Sequence, residues 1–159
     1  MNEGKKFEQD IKNSVPEDVF YYRLKDGTAS WGGEETRFQC QNACDCIMFH
    51  TPHMYMFELK SHKGKSLPFS CIRDNQLLEL VQAAHKGVIA GFIVNLRDVD
   101  KTFYVGAVTV QELINTLDRK SIPLEFFDTQ CIELYGQKKR TRWRYDILNL
   151  FYQIEVRKC

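Results

Sequence analysis

The sequence predicts an α/β protein in which a mixed sheet is flanked by helices. Short apolar runs bounded by turn residues read as strands, and longer stretches with apolar residues three and four apart read as helices. Their order along the chain is helix, three strands, helix, strand, strand, which describes a sheet covered by helices rather than a bundle or an all-β sandwich. At 159 residues the chain can bury a core without metal or disulfide staples, and residues 1–159 read as a single domain.

Taken in order, Phe7 and Ile11 share a helical face and place a helix over residues 4–14, which Pro16 ends. Val19–Leu24 reads as the first strand. Asp26-Gly27 opens a polar stretch running to about Asn42, with Gly32-Gly33-Glu34-Glu35 at its centre, and this stretch is predicted to be a loop. Cys46–Phe49 and Met54–Phe57 are buried strands separated by the turn His50-Thr51-Pro52-His53. After the basic loop His62–Pro68, a helix runs from about Ser70 to Lys86 with Leu77, Leu80, Val81 and Ala84 as its apolar stripe, and Gly87 stops it. Val88–Leu96 is almost wholly apolar and therefore a central strand. Thr102–Val108 is the next strand and Val110–Leu117 a short helix. Residues 121–136 follow no single period, and Asp146–Val156 spaces its apolar residues as a final helix.

Composition narrows the function. A net charge of +1 gives no global attraction to nucleic acid, so any such case rests on local clusters. No apolar segment reaches the roughly 18 residues of a membrane span. The start, Met1-Asn2-Glu3-Gly4-Lys5-Lys6, lacks the apolar stretch of a secretory signal, so the six cysteines read as reduced thiols of a cytoplasmic protein.

The residues that suggest chemistry are Asp45, which enters the first apolar run, and Glu58-Leu59-Lys60, which leaves the second. In a strand, Glu58 and Lys60 point to one face and Leu59 to the other. Two carboxylates and an ammonium at the ends of adjacent strands could hold a divalent metal and activate a water, which suggests phosphodiester hydrolysis. Such hard oxygen ligands suit magnesium or manganese. Ordinary solvent-exposed strand-end charges remain the alternative. Against it stand the apolar runs each acid abuts, where an unpaired charge is costly, and the position of Lys60 on the face of Glu58.

Asp45 followed by Glu58-Leu59-Lys60 resembles the signature of the PD-(D/E)xK nuclease superfamily, which has the restriction-endonuclease-like fold. Ser66-Leu67-Pro68-Phe69, then Asn75-Gln76, then His85-Lys86-Gly87-Val88 are similar to the segment after the catalytic lysine in RecU-type Holliday junction resolvases. Gly4 to Glu8 resembles the start of that family's first helix. The resemblance covers roughly residues 4–105. It implies that Asp45 and Glu58 are metal ligands, that Lys60 is the catalytic lysine, that Gln76 helps position water or phosphate, and that Glu8 approaches the metal. It further implies a magnesium-dependent endonuclease (manganese possible) that acts on branched DNA and works as a homodimer, since cutting a four-way junction symmetrically needs two active sites.

The chain departs from that family in one place. Bacterial members carry a long basic insertion before the catalytic Asp, whereas here Thr28 to Asn42 is short and holds only Arg37 as a basic residue. The departure fits a compact, phage-type member. It also keeps open a nuclease of the same fold acting on other duplex, flap or single-stranded DNA. A non-catalytic DNA-binding module is the third reading, opposed by the intact Asp45, Glu58 and Lys60.

Two further clusters stand out. Cys40, Cys44 and Cys46 with His50 and His53 could suggest zinc, but the spacing fits no common arrangement. Cys44 and Cys46 are expected to share the strand face opposite Asp45 as small buried residues. The stretch Lys138-Lys139-Arg140-Thr141-Arg142-Trp143-Arg144-Tyr145 sets five basic residues around a Trp and a Tyr. Beside a nuclease core, Lys138, Lys139, Arg140, Arg142, Trp143 and Arg144 are expected to meet DNA, along with Lys63 and Lys65.

Overall fold

A computed structural model describes residues 2–25, 27–29 and 38–158. Helix α1 (Glu3–Ser14) begins where the Asn2 side chain accepts the Lys5 backbone N–H at 2.8 Å, and it buries Phe7, Asp10 and Ile11. Strand β1 (Phe20–Arg23) follows, then β2 (Gly27–Ala29) paired antiparallel with β3 (Phe38–Cys40). Next come β4 (Cys46–His50), β5 (His53–His62) and β6 (Ser66–Pro68). Helix α2 (Asp74–His85) leads into β7 (Ile89–Leu96) and β8 (Lys101–Gly106), and then α3 (Ala107–Thr116). Strand β9 (Ser121–Pro123), helix α4 (Leu124–Gln130), β10 (Ile132–Glu133), β11 (Gly136–Lys139), β12 (Arg142–Tyr145) and α5 (Ile147–Lys158) complete the described chain.

Six strands form the main sheet in the order β1-β4-β5-β7-β8-β10. All neighbours are antiparallel except β5 and β7, which run parallel because α2 carries the chain back across the sheet between them. Helices therefore lie on both faces. One apolar cluster joins Leu77, Leu80 and Val81 of α2 and Val110 of α3 to Phe92 and Val94 of β7. The other joins Phe7 and Ile11 of α1 and Leu150, Phe151 and Ile154 of α5 to Tyr55 and Phe57 of β5. Strand β7, buried along both faces, is the spine of both clusters, as its apolar run predicts. The α/β sheet flanked by helices is thus the observed architecture.

The differences from the sequence reading are local. The polar stretch after Asp26 was expected to be a loop, yet its ends pair as β2 and β3; Gly32–Glu35 and Arg37 lie outside the described residues. The helix expected from Ser70 starts at Asp74, because Phe69–Cys71 forms a single 3₁₀ turn. Part of the expected basic loop, Ser66–Pro68, instead pairs with β9, a partner more than fifty residues away that no local pattern announces. Helix α3 begins at Ala107, three residues before its expected start, and so takes the end of the expected strand. Cys44 and Cys46 are both buried thiols, but they do not share a face: a bend at residues 43–45 sends Cys44 into the α2–α3 cluster and Cys46 into the α1–α5 cluster.

Gly91 in the centre of β7 is required by contact. A Cβ there would clash with the Val105 carbonyl oxygen of β8, an atom fixed by the ladder. Gly91→Ala is expected to destabilise the protein by about 1–3 kcal/mol, as overpacking of a buried site does, measured as a lower urea midpoint. An unchanged midpoint would show that β7 and β8 can part more easily than their pairing implies.

Candidate active site

The register between β4 and β5 brings the first two acids together. Cys46 pairs with Phe57 and Ile47 with Met56, so one step further Asp45 lies opposite Glu58. The Asp45 N–H donates to the Phe57 carbonyl at 3.1 Å, and the Leu59 N–H donates to Asp45 Oδ2 at 2.7 Å, which fixes the carboxylate against the end of β5. Both side chains then rise on the face covered by α2.

Glu58 is only 3% exposed. Lys60 donates from Nζ to Glu58 Oε1 at 2.8 Å and lies 3.5 Å from Gln76 Oε1. Gln76 is buried on the first turn of α2 rather than being a surface amide, so the parallel β5–α2–β7 crossover delivers it to the acids. Glu58 Oε2, buried, has no hydrogen-bond partner among the described residues.

Glu8 is the outlying member. It accepts from Nε and Nη2 of Arg23 at 3.1 and 2.9 Å, yet its charge still reaches Asp45. Asp45 is the group that feels the crowding. Desolvation first, then repulsion by Glu58 and more weakly by Glu8, push its pKa up to about 7, although the Leu59 N–H and Lys60 pull it down.

The arrangement has more negative charge than Lys60 neutralises, together with a bare carboxylate oxygen. Asp45 and Glu58 could hold a divalent cation whose remaining ligands are waters. Among the described residues no three acidic, Cys or His side chains form a group that could hold a metal ion. The same observation removes the zinc reading for Cys44, Cys46, His50 and His53; the Cys40 side chain lies outside the described residues.

The basic segments divide into two groups. Lys63 and Lys65 are exposed in the turn between β5 and β6, just past Lys60, and Lys138, Lys139 and Arg140 are exposed at the tip of the β11–β12 hairpin. Arg142 and Arg144 are engaged elsewhere. Arg142 Nε meets Asp10 Oδ1 at 2.6 Å and its Nη2 donates to the Lys6 carbonyl, while Arg144 Nη1 donates to the Asn13 carbonyl at 2.6 Å. These two arginines, expected at DNA, moor the hairpin to α1. Trp143 is half-buried between Lys138 and Tyr145.

Comparison with known proteins places this geometry. The profile of the family described as Recombination protein U matches residues 11–148. The SPbeta prophage-derived uncharacterized protein YotM of Bacillus subtilis (strain 168) is 27% identical over 163 residues, covering 91% of this chain and 82% of that protein. Among solved structures, Hjc of Archaeoglobus fulgidus, a Holliday junction resolvase from an archaeal hyperthermophile, superposes with a TM-score of 0.52 at 15% identity, over 82% of this chain and 95% of that one. That likeness speaks for the fold, which is the restriction-endonuclease-like one.

The raised Asp45 pKa sets a pH dependence. Its ordinary value is 3.8 and its folded value about 7, so between them the folded protein keeps a proton the unfolded chain has lost. Raising the pH through that window therefore favours unfolding. The metal-free protein is expected to lose stability from pH 4 to 7 relative to Asp45→Asn, and a divalent cation should restore it most at the upper end. Urea midpoints across pH for both proteins check this; parallel curves would contradict it.

Proposed function

The chain belongs to the Recombination protein U family, a family of Holliday junction resolvases, and from that we propose that Asp45, Glu58, Lys60 and Gln76 form the centre of a magnesium-dependent endonuclease that resolves four-way DNA junctions. The observation that carries this reading is the cross-strand pairing of Asp45 with Glu58, with Lys60 bonded to Glu58 on the same face.

Asp45 and Glu58 would hold the ion, with Glu8 and Arg23 at the edge of its charge field. Magnesium, or manganese in its place, supplies a water of lowered pKa and takes up charge on the phosphate. The remaining steps belong to the protein. Lys60, set between Glu58 and Gln76, presents an ammonium where negative charge builds on the phosphate as water attacks in line. Gln76 restrains that ammonium from α2. The wall formed by α2 limits bulk water on one side of the acids, which strengthens each of these interactions. Lys63, Lys65, Lys138, Lys139 and Arg140 would neutralise phosphates of the arms and position the DNA without reading its sequence.

Two symmetric cuts need two centres, and the sheet offers a surface for a second copy. On the face that carries the acids, the register sets Phe20, Phe49 and Met54 in one row and Tyr22, Ile47 and Met56 in the next. Phe20 is 60% and Tyr22 50% exposed, and Phe49 and Met54 are also exposed. An apolar patch of this kind marks an interface, and its rows run into the row of Asp45 and Glu58, so a homodimer built on it would couple the two centres.

Asp45→Ala and Lys60→Ala are expected to keep the circular dichroism spectrum and junction affinity but to cut a synthetic four-way junction in magnesium roughly a hundredfold more slowly or worse. Full-rate cleavage by either variant would overturn the assignment. Linear duplex and flap substrates run beside the junction define the substrate, since equal rates on all three would remove the junction preference. Phe49→Glu should sediment as a monomer and lose paired cleavage, and a dimer that persists would place the interface elsewhere.

A further inference from the structure

On the far face of the sheet, back to back with the proposed centre, lies a cleft of about 140 Å³ enclosed by α1, the ends of β5 and β7, and the β11–β12 hairpin. Ser61, which lines it, directly follows Lys60 on β5, so alternation turns the two side chains to opposite faces of one strand end. The cleft and the acid centre therefore meet at the same end of β5, on its two faces.

The lining has the parts of a nucleotide pocket. Its walls are aromatic: Phe7 meets Tyr145 edge-on, and Trp143 stacks on Tyr145 at an interplanar angle of 14°. Its floor is a polar row across three strands and the hairpin. Ser61 Oγ donates to Asn95 Oδ1 at 3.2 Å, Asn95 Nδ2 donates to Thr102 Oγ1 at 3.1 Å, and Thr102 Oγ1 donates to the Tyr145 hydroxyl at 3.4 Å. Asn95 interrupts the otherwise apolar strand Ile89–Leu96, and the amide has donor and acceptor capacity beyond these two bonds. At the rim stand Lys6, Lys138 and Arg97, whose buried Nε has no partner among the described residues. Glu3 and Asp100 are exposed acids at the same rim, and the deeper Asp10 is neutralised by Arg142. The balance is mildly cationic around an apolar wall and an amide floor.

We propose that this cleft receives one unpaired nucleotide of the DNA at the branch point, with the base against Trp143, its edge over Asn95 and Ser61, and its phosphate toward Lys138 and Arg97. The proposal rests on the nuclease reading above and deepens it. The cleft is too small for a base pair, so it discriminates branched DNA, where a base can leave the stack, from intact duplex. It supplies selectivity for branched DNA from the folded core, where the stretch before Asp45 is short.

The test is a cycle between protein and DNA, read as binding in calcium. A junction with an abasic site at the branch point is compared with the complete junction, on the wild type, Trp143→Ala and Asn95→Leu, each checked for folding by circular dichroism. Losing a stacked base should weaken wild-type binding by roughly five- to a hundredfold. The variants should bind the complete junction as weakly as the abasic one and show little further loss. Additive losses, or no loss with the abasic junction, would overturn the proposal. Because the two variants alter the wall and the floor separately, a folding failure in one leaves the other to decide. Displacement of the effect by free deoxyadenosine monophosphate would assign the cleft to a free nucleotide and likewise overturn it. Cleavage of the complete junction by the wild type in magnesium is measured in parallel: intact coupling without cleavage refutes the nuclease reading alone, and cleavage without coupling refutes the cleft alone.

Discussion

The register of the β4–β5 hairpin is the constraint on which the rest depends. A slip of one residue would turn every side chain of one strand to the opposite face. It would bury Lys60 where Leu59 packs and separate Asp45 from Glu58. The register is held at both ends: by the pairing of His50 with His53 at the turn, and by the Leu59 N–H bonded to Asp45 Oδ2 at the open end. The second contact uses a prospective ligand as part of the ladder. Folding the sheet and shaping the acid pair are therefore the same event, and the backbone of β5 itself holds the Asp45 carboxylate.

That preorganisation has an electrostatic cost. Asp45 and Glu58 sit side by side in a partly desolvated strand end, where the Leu59 N–H and Lys60 offset them in part. The apolar clusters on both faces supply the stability that tolerates this strain, through residues as deeply buried as Phe57, Phe92 and Leu80. Because burial and the charge of Glu58 hold the Asp45 pKa up at about 7, the site carries its full negative charge only above that range, and a cation would compete with the proton below it. The buried Glu58 Oε2, without a partner among the described residues, adds to that cost.

How much of this was legible in the sequence follows from how local each interaction is. Asp45 and Glu58 could be paired on sight because a short turn joins two apolar runs and fixes their register. The sheet class and the central position of β7 followed from run length and alternation. Gln76 and Glu8 were reached only through family resemblance, because a helix-borne side chain declares its burial only when the helix is docked. The basic run at 138–145 shows the limit. Its composition suggests nucleic acid throughout, but Arg142 meets Asp10 across 132 positions and Arg144 caps a carbonyl of α1. No local pattern distinguishes an arginine that moors a hairpin from one that meets phosphate. The β6–β9 ladder was missed for the same reason.

Those moorings give α1 a role larger than its single carboxylate suggests. Successive positions of the helix serve different neighbours: Phe7, Asp10 and Ile11 face the sheet and hairpin, whereas Glu8 meets Arg23 and lends its charge to Asp45. The Asp10–Arg142 pair is costly to break from the arginine side, since the buried Asp10 would be left charged beside apolar walls. The hairpin is therefore held against α1, and α1 is tied to β1 through Glu8 and Arg23. In this geometry the acid pair on one face of the sheet and the aromatic cleft on the other share α1 as a support: the helix gives Phe7 to the cleft wall and sets the charge of Glu8 near Asp45.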